Sequence, residues 1–330
     1  MNSAERWMTF MRVQLQPSEV AKRAVIIGSA CILSKGQDED GASPKAFKRI
    51  MIITGVICLV IAPENLSTAA LLFGVVYLMM FIGRVAMKKL LILAGGLAGV
   101  AIIGVTFLVL TKNSDLPFLH RFDTWRARIE KFTNDNEVPA AKFDIDKDAQ
   151  IAHARIAVAT SHVVGKGPGN SVQRDFLSQA FSDFIFAIII EELGLIGGAF
   201  VVFLYVCLLI RVGRIAKKCE RTFPAFLIIG IALLLVSQAI FNMMVAVGLA
   251  PVTGQPLPLI SKGGTSTLIN CAYIGMILSV SRYTARLEEQ KEHDALIPMQ
   301  LEVPAEETNS DAQTSAEPAA KVLNSDAEFE

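Results

Sequence analysis

The sequence predicts an all-α integral membrane protein, a polytopic bundle of about seven transmembrane helices with one large extracytoplasmic loop. Of the 330 residues, 52% are hydrophobic, and long apolar runs with brief connections recur along the chain. Apolar runs of about 18 or more residues with few charges are typical of membrane-spanning helices. Six runs are clear, and a seventh is more mixed but long enough to span with tilt. In order they are 20–34, 48–62, 66–82, 90–111, 184–210, 225–249 and 266–281.

The formal net charge of zero conceals two segments of opposite charge. Residues 287–330 hold twelve Asp or Glu and two Lys, a net charge of −10, so residues 1–286 carry +10. The excess basic residues fall in alternate loops, which the positive-inside rule places in the cytoplasm. The tail 287–330 is therefore expected to be cytoplasmic. Its Pro, Glu, Ala and Ser composition, with few aromatic residues, predicts disorder.

The same rule assigns the remaining segments of the chain. It places the N-terminal segment 1–19, the large loop 112–183 and the loop 250–265 outside the cytoplasm. Four helices then lie in 20–111 and three in 184–286. No signal peptide precedes the first segment. Either that segment crosses as a short tail, or an odd number of further spans lies upstream, and we expect the second.

Several kinds of site are not indicated by the sequence. The five cysteines lack the spacing of a disulfide framework or a zinc site, and the four histidines are scattered. No phosphate-cradling P-loop or dinucleotide fingerprint is present. The basic residues follow the membrane topology, so no nucleic-acid partner is expected. The sequence specifies no cofactor and leaves a divalent-cation requirement open.

The loop 112–183 is far longer than a connector needs to be, which is typical of functional or disordered loops. Its first part is polar and irregular. QIAHARIAVATSHVV, at 150–164, spaces its apolar residues as a helix does and predicts an amphipathic helix near the surface or within the bundle. Gly165, Gly167 and Gly169 then predict a tight, irregular turn.

Three segments resemble signature segments of the SEDS family (shape, elongation, division and sporulation). They are GKGPGNSVQ at 165–173, SDFIFAIIIEELGLIGG at 182–198 and GLAPVTGQPLPLISKGGTS at 248–266. ERW at 5–7, QPSEVAK at 16–22 and PENLST at 63–68 resemble further family segments. The resemblance implies a ten-span enzyme that polymerises lipid II, the lipid-linked disaccharide-peptide precursor, into peptidoglycan glycan strands. The GNSVQ form is closer to the division branch, and three of the ten spans would lie upstream of Met1.

The sequence departs from the family pattern at three places. The usual His-Thr-Asp is Phe181-Ser182-Asp183, a common Tyr-Gln pair is Ala149-Gln150, and the 63–68 segment is longer by one residue. These departures affect neighbours of the central acid, and the acid itself is retained.

By resemblance, Asp183 is the catalytic residue. It lies at the predicted extracytoplasmic boundary, where lipid II presents its sugar and pyrophosphate. Glycosyl transfer needs the acceptor hydroxyl deprotonated as it attacks the donor's anomeric carbon and undecaprenyl pyrophosphate leaves. Partial dehydration raises the pKa of a carboxylate and improves it as a general base near neutral pH. From the residues alone, the alternative is that Asp183 N-caps the helix that follows.

Glu191 and Glu192 lie about 12 Å deeper along the same predicted helix. Ionisable residues at such depth usually face the bundle interior and find a partner. Lys22, Arg23 or the backbone amides of a broken helix are the possible partners, and the role is either structural pairing or the lining of a substrate cavity. Small residues follow and predict close helix approach: Gly194, Gly197 and Gly198.

The loop 250–265 holds three prolines and three glycines, which prevent a regular helix. Gly263, Gly264 and Thr265 open the next helix, whose N-terminal amides are expected to receive an anion such as pyrophosphate, with Lys262 beside it. The alternative is an ordinary re-entrant turn. Glu19 and Lys22 could also form a simple surface pair on one helix face. By resemblance, the other substrate-binding candidates are Arg6, Glu19, Lys22, Gln150, Asn170 and Ser261.

The function implied by the resemblance is lipid II polymerisation during septal wall synthesis, in the bacterial cytoplasmic (inner) membrane. The expected partners are lipid II, a class B penicillin-binding protein transpeptidase and other divisome membrane proteins. Two alternatives come from other classes. A lipid II flippase would need polar groups along its spans, whereas here they gather at one face. A non-enzymatic divisome scaffold would not need Asp183.

Overall fold

The computed structural model describes residues 8–10, 13–15, 17–38, 41–110, 145–177 and 180–301. Within these residues the backbone forms eight α-helices, a 3-10 helix at Gln173–Phe176 and two short β-hairpins. The helices are α1 Pro17–Lys35, α2 Pro44–Ile61, α3 Leu66–Ile82, α4 Met87–Leu110, α5 Ile145–Ala159, α6 Ile185–Lys218, α7 Thr222–Ala246 and α8 Gly264–Leu301. Arg6 and residues 112–144 of the large loop lie outside the described ranges.

Each of the seven apolar runs overlaps one of these helices over most of its length, which confirms the predicted membrane helix bundle. Among the described helices, three are long and apolar enough to cross a membrane, over Met87–Gly104, Ile185–Lys218 and Thr222–Ala246. Helix α3 is apolar but slightly shorter, with 17 residues. Helix α2 carries three basic residues between positions 45 and 49, which lower its hydropathy.

Side-chain hydrogen bonds at the N-cap fix where helices α2 and α3 begin. The Ser43 hydroxyl accepts a hydrogen bond from the Ala46 amide, with Pro44 at the first helical position of α2. The Asn65 side chain accepts from the Thr68 amide at the start of α3.

The hairpins are β1 (Met8–Phe10) with β2 (Val13–Leu15), and β3 (Gln37–Asp38) with β4 (Gly41–Ala42), both antiparallel.

Two apolar clusters form the interior. The first joins α1, α2 and α3 to the N-terminal part of α7, with Leu33, Leu72, Met79 and Ile231 almost fully buried. The second joins α5, the first turns of α6 and the C-terminal half of α7. Its buried members include Ala157, Phe184, Ala187, Ala246 and Leu257. The second cluster therefore packs directly around the segment that carries Asp183.

The amphipathic helix predicted at 150–164 is present, but it spans Ile145–Ala159. Ala154 and Ala157 are buried, and the helix packs against α6, so it belongs to the bundle. It ends earlier than predicted because the chain leaves helical geometry there, with His162 at a φ of +53°. The apolar residues after position 159 belong to the turn that follows.

The predicted disorder of 287–330 is wrong at its beginning, because α8 continues to Leu301. The tail's overall composition favours disorder, but its first residues, RLEEQKEHDAL from position 286, are mostly strong helix formers. Residues 302–330 lie outside the described part of the chain. The chain divides into two compact units, Met1–Thr284 and Ala285–Glu330, close to the predicted boundary.

Candidate functional site

Asp183 lies in the turn immediately before α6, but it does not cap the helix. The N-cap residue is Phe184, and no side chain makes a cap hydrogen bond there. One carboxylate oxygen of Asp183 instead accepts from the Ser182 hydroxyl at 3.0 Å. The capping alternative is therefore wrong, because the carboxylate makes no hydrogen bond to the first amides of the helix.

The Asp183 carboxylate faces the proline–glycine loop, which we define as residues 247–263. Gly254 in this loop has a φ of +66°, and a Cβ placed on it would lie 3.6 Å from Oδ2 of Asp183. Burial raises the pKa of Asp183, and the Ser182 hydrogen bond offsets part of that rise. A half-buried carboxylate with a raised pKa is suited to accept a proton near neutral pH.

Asn242 on α7 holds both sides of this site together. Its side-chain amide donates to the carbonyl of Asp183 and to the carbonyl of Gln255, each at 2.8 Å. Gln255 in turn donates to the Thr68 hydroxyl on α3 at 2.6 Å. The sequence analysis missed these residues. The available signal was a polar amide inside an apolar helix, since such groups in a membrane bundle usually have a partner.

Further polar contacts secure the backbone of the proline–glycine loop. Gln238 donates to the Pro256 carbonyl at 3.2 Å, and the Tyr205 hydroxyl donates to the Pro258 carbonyl. Ser261 donates to the Ser182 carbonyl at 2.6 Å. Non-helical backbone at membrane depth is tolerated only where protein or water satisfies its polar groups, and here neighbouring helices do so.

The predicted substrate residues of this loop have different surroundings. The Ser261 hydroxyl is used to fix the loop, because it also accepts from the Leu257 amide at 2.7 Å. Lys262 donates its backbone amide to the Phe181 carbonyl at 2.8 Å and leaves its side chain exposed. Gly263 precedes α8, and Gly264 is its first residue. The side chain of Thr265 lies outside the described atoms.

Helix α6 is broken at Gly194, which has a φ of +72° and a ψ of −171°. Such a break frees backbone groups of the helix, and here the glycine loop, residues 162–171, satisfies them. The four bonds, donor first, are Lys166–Glu191 (3.0 Å), Gly167–Glu192 (2.8 Å), Leu195–His162 (3.3 Å) and Ile196–Val163 (3.4 Å). The tight turn predicted for this loop is confirmed, because its three glycines all have positive φ.

The atoms nearest to the α6 glycines do not belong to another helix, so the close helix approach predicted there stays a prediction. A Cβ on Gly194 would overlap the Val163 carbonyl and the Gly165 amide, so a loop makes the approach. At Gly197 and Gly198 the nearest atoms belong to side chains of α6 itself. The break between the two halves of α6 brings these side chains over the glycines.

Glu191 is fully buried and is held by the end of the glycine loop. Its carboxylate accepts from Lys166 at 2.6 Å and from the Ser171 hydroxyl at 2.5 Å. The amides of Val172 and Gln173 also donate to it, each at 3.3 Å. Lys22 and Arg23 are therefore not its partners, whereas backbone amides are, and these belong to the two residues that follow the glycine loop. The side chain of Glu192 is partly buried.

We expect Glu191→Gln to lower the free energy of unfolding by about 1–3 kcal/mol, because it removes the charge that four donors share. Thermal unfolding of the purified protein in detergent measures this. Glu192→Gln is the matched control, one position along the same helix, and should have a smaller effect. Equal losses of stability in the two variants would contradict the importance of the Glu191 contacts.

Among the described residues, Glu19, Lys22 and Asn170 pair or hydrogen-bond with residues other than Asp183. Glu19 pairs with Lys22 on α1, and Lys22 is fully buried, so this is not the surface pair considered from the sequence. Asn170 is exposed and donates to the Lys166 carbonyl at 3.1 Å, which braces the glycine loop. Gln150 is partly buried on α5.

A metal centre is not visible in the described part of the chain. Among those residues, no group of three or more His, Cys, Asp and Glu side chains is placed to hold an ion. His153 is instead 2.6 Å from the Gln173 side chain and stacks on Phe176, with ring centroids 5.1 Å apart.

Both a family profile and individual known proteins match this chain. The family profile FTSW_RODA_SPOVE, described as "Cell cycle protein", matches residues 1–286. A protein of Geobacter sp. (strain M18) named "Probable peptidoglycan glycosyltransferase FtsW" is 33% identical over 280 residues, covering 84% of this chain and 71% of its own length. A Bacillus subtilis (strain 168) protein of the same name is 28% identical, covering 90% of this chain and 72% of its own.

Two solved structures share the fold. One, reported as "Structural coordination of polymerization and crosslinking by a peptidoglycan synthase complex", has a TM-score of 0.64 at 24% identity and covers 86% of this chain and 75% of that one. The other is the rod shape determining protein RodA of Thermus thermophilus, with a TM-score of 0.53 at 22% identity, covering 86% and 70% of the two chains.

Proposed function

Because the chain belongs to the FtsW/RodA/SpoVE family of cell cycle proteins, we propose that it is a peptidoglycan glycosyltransferase that polymerises lipid II during septal wall synthesis. The names of its relatives support the activity, as the SEDS resemblance in the sequence implied. The single structural observation that carries the proposal is the position of Asp183. Its partly buried carboxylate has a raised pKa, makes no cap bond to the helix it precedes and faces Gly254 of the proline–glycine loop.

In the proposed reaction, Asp183 accepts the proton of the acceptor sugar hydroxyl. The hydroxyl oxygen forms a bond to the anomeric carbon of the donor. The bond from that carbon to the pyrophosphate oxygen breaks, and undecaprenyl pyrophosphate leaves with the electron pair. The protein supplies the base and its position, since Asn242 holds the Asp183 backbone and Ser182 holds one carboxylate oxygen.

We propose substrate-contacting roles for Arg6, Gln150, the Glu19–Lys22 pair, and Lys262 with the residues that begin α8. The Lys262 side chain is exposed. Its backbone amide donates a hydrogen bond to the carbonyl of Phe181, which lies two residues before Asp183. Ser261 and Asn170 act through the loops that they hold. Glu191 and Glu192 belong to the loop support and not to the reacting centre.

Polymerisation of purified lipid II by the full-length protein with a class B penicillin-binding protein partner tests this function. Glycan strands in that assay support the polymerase. Transfer of lipid II across vesicle membranes without polymer would indicate the flippase, and neither activity would indicate the scaffold. An association with that transpeptidase and with other divisome membrane proteins is part of the same proposal.

We also propose that the protein lies at the division septum. We further propose that its C-terminus lies in the cytoplasm, as the positions of the basic loops predict. A single cysteine introduced at position 300 should resist a membrane-impermeant thiol reagent applied from the periplasmic side, and should react after the membrane is permeabilised. Labelling from the periplasmic side before permeabilisation would contradict this orientation.

A further inference from the structure

The C-terminal end of α6 carries a group of basic residues that the proposed mechanism does not use. Five lysines and arginines lie between positions 211 and 221, and Glu220 is the only acidic residue between positions 193 and 285. This end of the helix and the turn after it therefore have a net charge of +4. The five basic side chains are all exposed: Arg211, Arg214, Lys217, Lys218 and Arg221.

Two ordinary roles account for part of this charge. Cations in the last turn of a helix interact favourably with its dipole, which explains Lys217 and Lys218. Basic loops also fix the orientation of a membrane protein, by the number of their charges. Neither role requires the cations to be held on one face of a folded helix, as they are here.

The fold of α6 places three of these cations on a single face, which we call the cationic face. Arg211, Arg214 and Lys217 follow one another at intervals of three residues, and each residue turns the helix by about 100°. The opposite side of the same turns packs into the first apolar cluster, with three buried residues: Val212, Ile215 and Ala216. The cationic face is therefore fixed in its direction by the buried side of the helix.

The cationic face continues toward the membrane interior as exposed apolar surface. Phe203 and Ile210 are 59% and 51% exposed and lie on the same side of α6 as Arg214. Phe203 is eleven residues before Arg214, about 16 Å along the helix axis. Half of a hydrocarbon core is about 15 Å thick. The face thus has apolar surface over the depth of one leaflet and cations at its edge, as a phospholipid has acyl chains and a headgroup.

The described part of the chain supplies no counter-charge for this face. Among the described residues, the side chains of Arg211, Arg214 and Lys217 form no ion pair. The end of α1 lies beside the turn after α6, because the Thr222 hydroxyl donates to the Ser34 hydroxyl at 3.0 Å. The next residue, Lys35, is exposed and adds a further cation. The complementary negative charge is therefore expected from the surroundings of the protein.

We propose that the cationic face binds the headgroup of an anionic phospholipid, whose acyl chains lie against Phe203 and Ile210. An acidic protein segment would match the charge but would leave the adjoining apolar surface unused, whereas a lipid matches both. The predicted orientation places this face in the cytoplasmic leaflet, where anionic lipids attract basic residues next to a membrane helix. The inference goes beyond the proposed glycosyltransferase activity and requires only that α6 spans a membrane.

Native mass spectrometry of the whole chain, released from detergent that contains phosphatidylglycerol or phosphatidylcholine, tests this site. We expect phosphatidylglycerol to bind about tenfold more tightly or more, because only its headgroup carries a net negative charge. Equal affinities for the two lipids would overturn the proposal. Binding of a hexaglutamate peptide without a preference for phosphatidylglycerol would also overturn it, and would indicate a surface for an acidic protein partner.

Single substitutions locate the site on α6. Arg211→Gln and Arg214→Gln should each weaken phosphatidylglycerol binding by about fivefold, the usual contribution of one basic residue near an anionic membrane surface. Arg214→Lys keeps the charge and should retain most of the affinity. Arg282→Gln is the control, because it removes an exposed cation on α8 at the same predicted side of the membrane. It should leave phosphatidylglycerol binding unchanged.

Thermal unfolding separates lipid binding from structural support. The cationic face is exposed, so a variant with all three of its residues changed to glutamine should keep its melting temperature in detergent alone. Added phosphatidylglycerol should raise the melting temperature of the unchanged protein more than that of the variant, because the lipid binds the folded state. If the triple variant binds phosphatidylglycerol as tightly as the unchanged protein, or if Arg282→Gln loses as much affinity as Arg214→Gln, the site is wrong.

Discussion

Replacing Asp183 with asparagine should reduce lipid II polymerisation by about 10²–10⁴-fold, the usual contribution of general-base catalysis. Asparagine keeps the size of the side chain but cannot take a proton from the acceptor hydroxyl. The helix start should be unaffected, because Asp183 makes no cap bond to α6. The measurement is the rate of glycan strand formation from purified lipid II, compared at equal protein abundance.

The stability of the variant and its lipid II binding are the controls for this result. Both should be close to those of the unchanged protein, whereas Glu191→Gln should lower stability and activity together. Long glycan strands made by Asp183→Asn at normal abundance would show that Asp183 is not the base.

The pH dependence of polymerisation should report the same carboxyl. The base must be deprotonated, so kcat/KM should fall as the pH drops through the pKa of Asp183. Burial raises that pKa above the ordinary value of 3.8, so the acid limb should lie higher than for an exposed aspartate. Ser182→Ala removes a hydrogen bond that lowers the pKa, and should move the acid limb to still higher pH.

Gly194→Ala should produce the second large effect, a loss of folding stability of about 3 kcal/mol or more. The combination of φ +72° and ψ −171° is essentially restricted to glycine. In other residues this backbone conformation costs about 1–3 kcal/mol of free energy. The new Cβ would also overlap the Val163 carbonyl and the Gly165 amide. Relief of that overlap requires the glycine loop to move, which breaks its backbone hydrogen bonds to α6.

The Gly194→Ala prediction is measured by thermal unfolding in detergent and by the amount of protein in the membrane. Gly213→Ala is the matched control on the same helix, because a Cβ there meets nothing within 4 Å. It should be neutral or slightly stabilising, since alanine favours helix over glycine by roughly 0.5–1 kcal/mol. A Gly194→Ala protein with an unchanged melting temperature would mean that the loop does not need this break.

Much of the local structure is determined by residues close together in the sequence. Apolar runs of sufficient length predict the membrane helices, because backbone groups in lipid must be satisfied within a helix. The residue type of Gly165, Gly167 and Gly169 permits the positive φ that the turn uses. The motif surrounding Asp183 also predicts, by resemblance, that this residue is the reacting carboxylate, since chemistry depends on the kind of side chain and its position at the membrane boundary.

The partners of those side chains were decided by the tertiary structure. Glu191 bonds to Lys166, 25 positions away, and Asn242 joins Asp183 to Gln255 across 59 and 13 positions. Such pairings depend on how the helices pack and on where a loop approaches a broken helix. Neither arrangement produces a recognisable pattern among residues that are close together in the sequence. The apolar runs therefore predict the membrane helices of this protein, and its motifs predict the catalytic acid. Only the packed bundle decided that Asp183 leaves its helix uncapped, and that the glycine loop supplies the partners of Glu191.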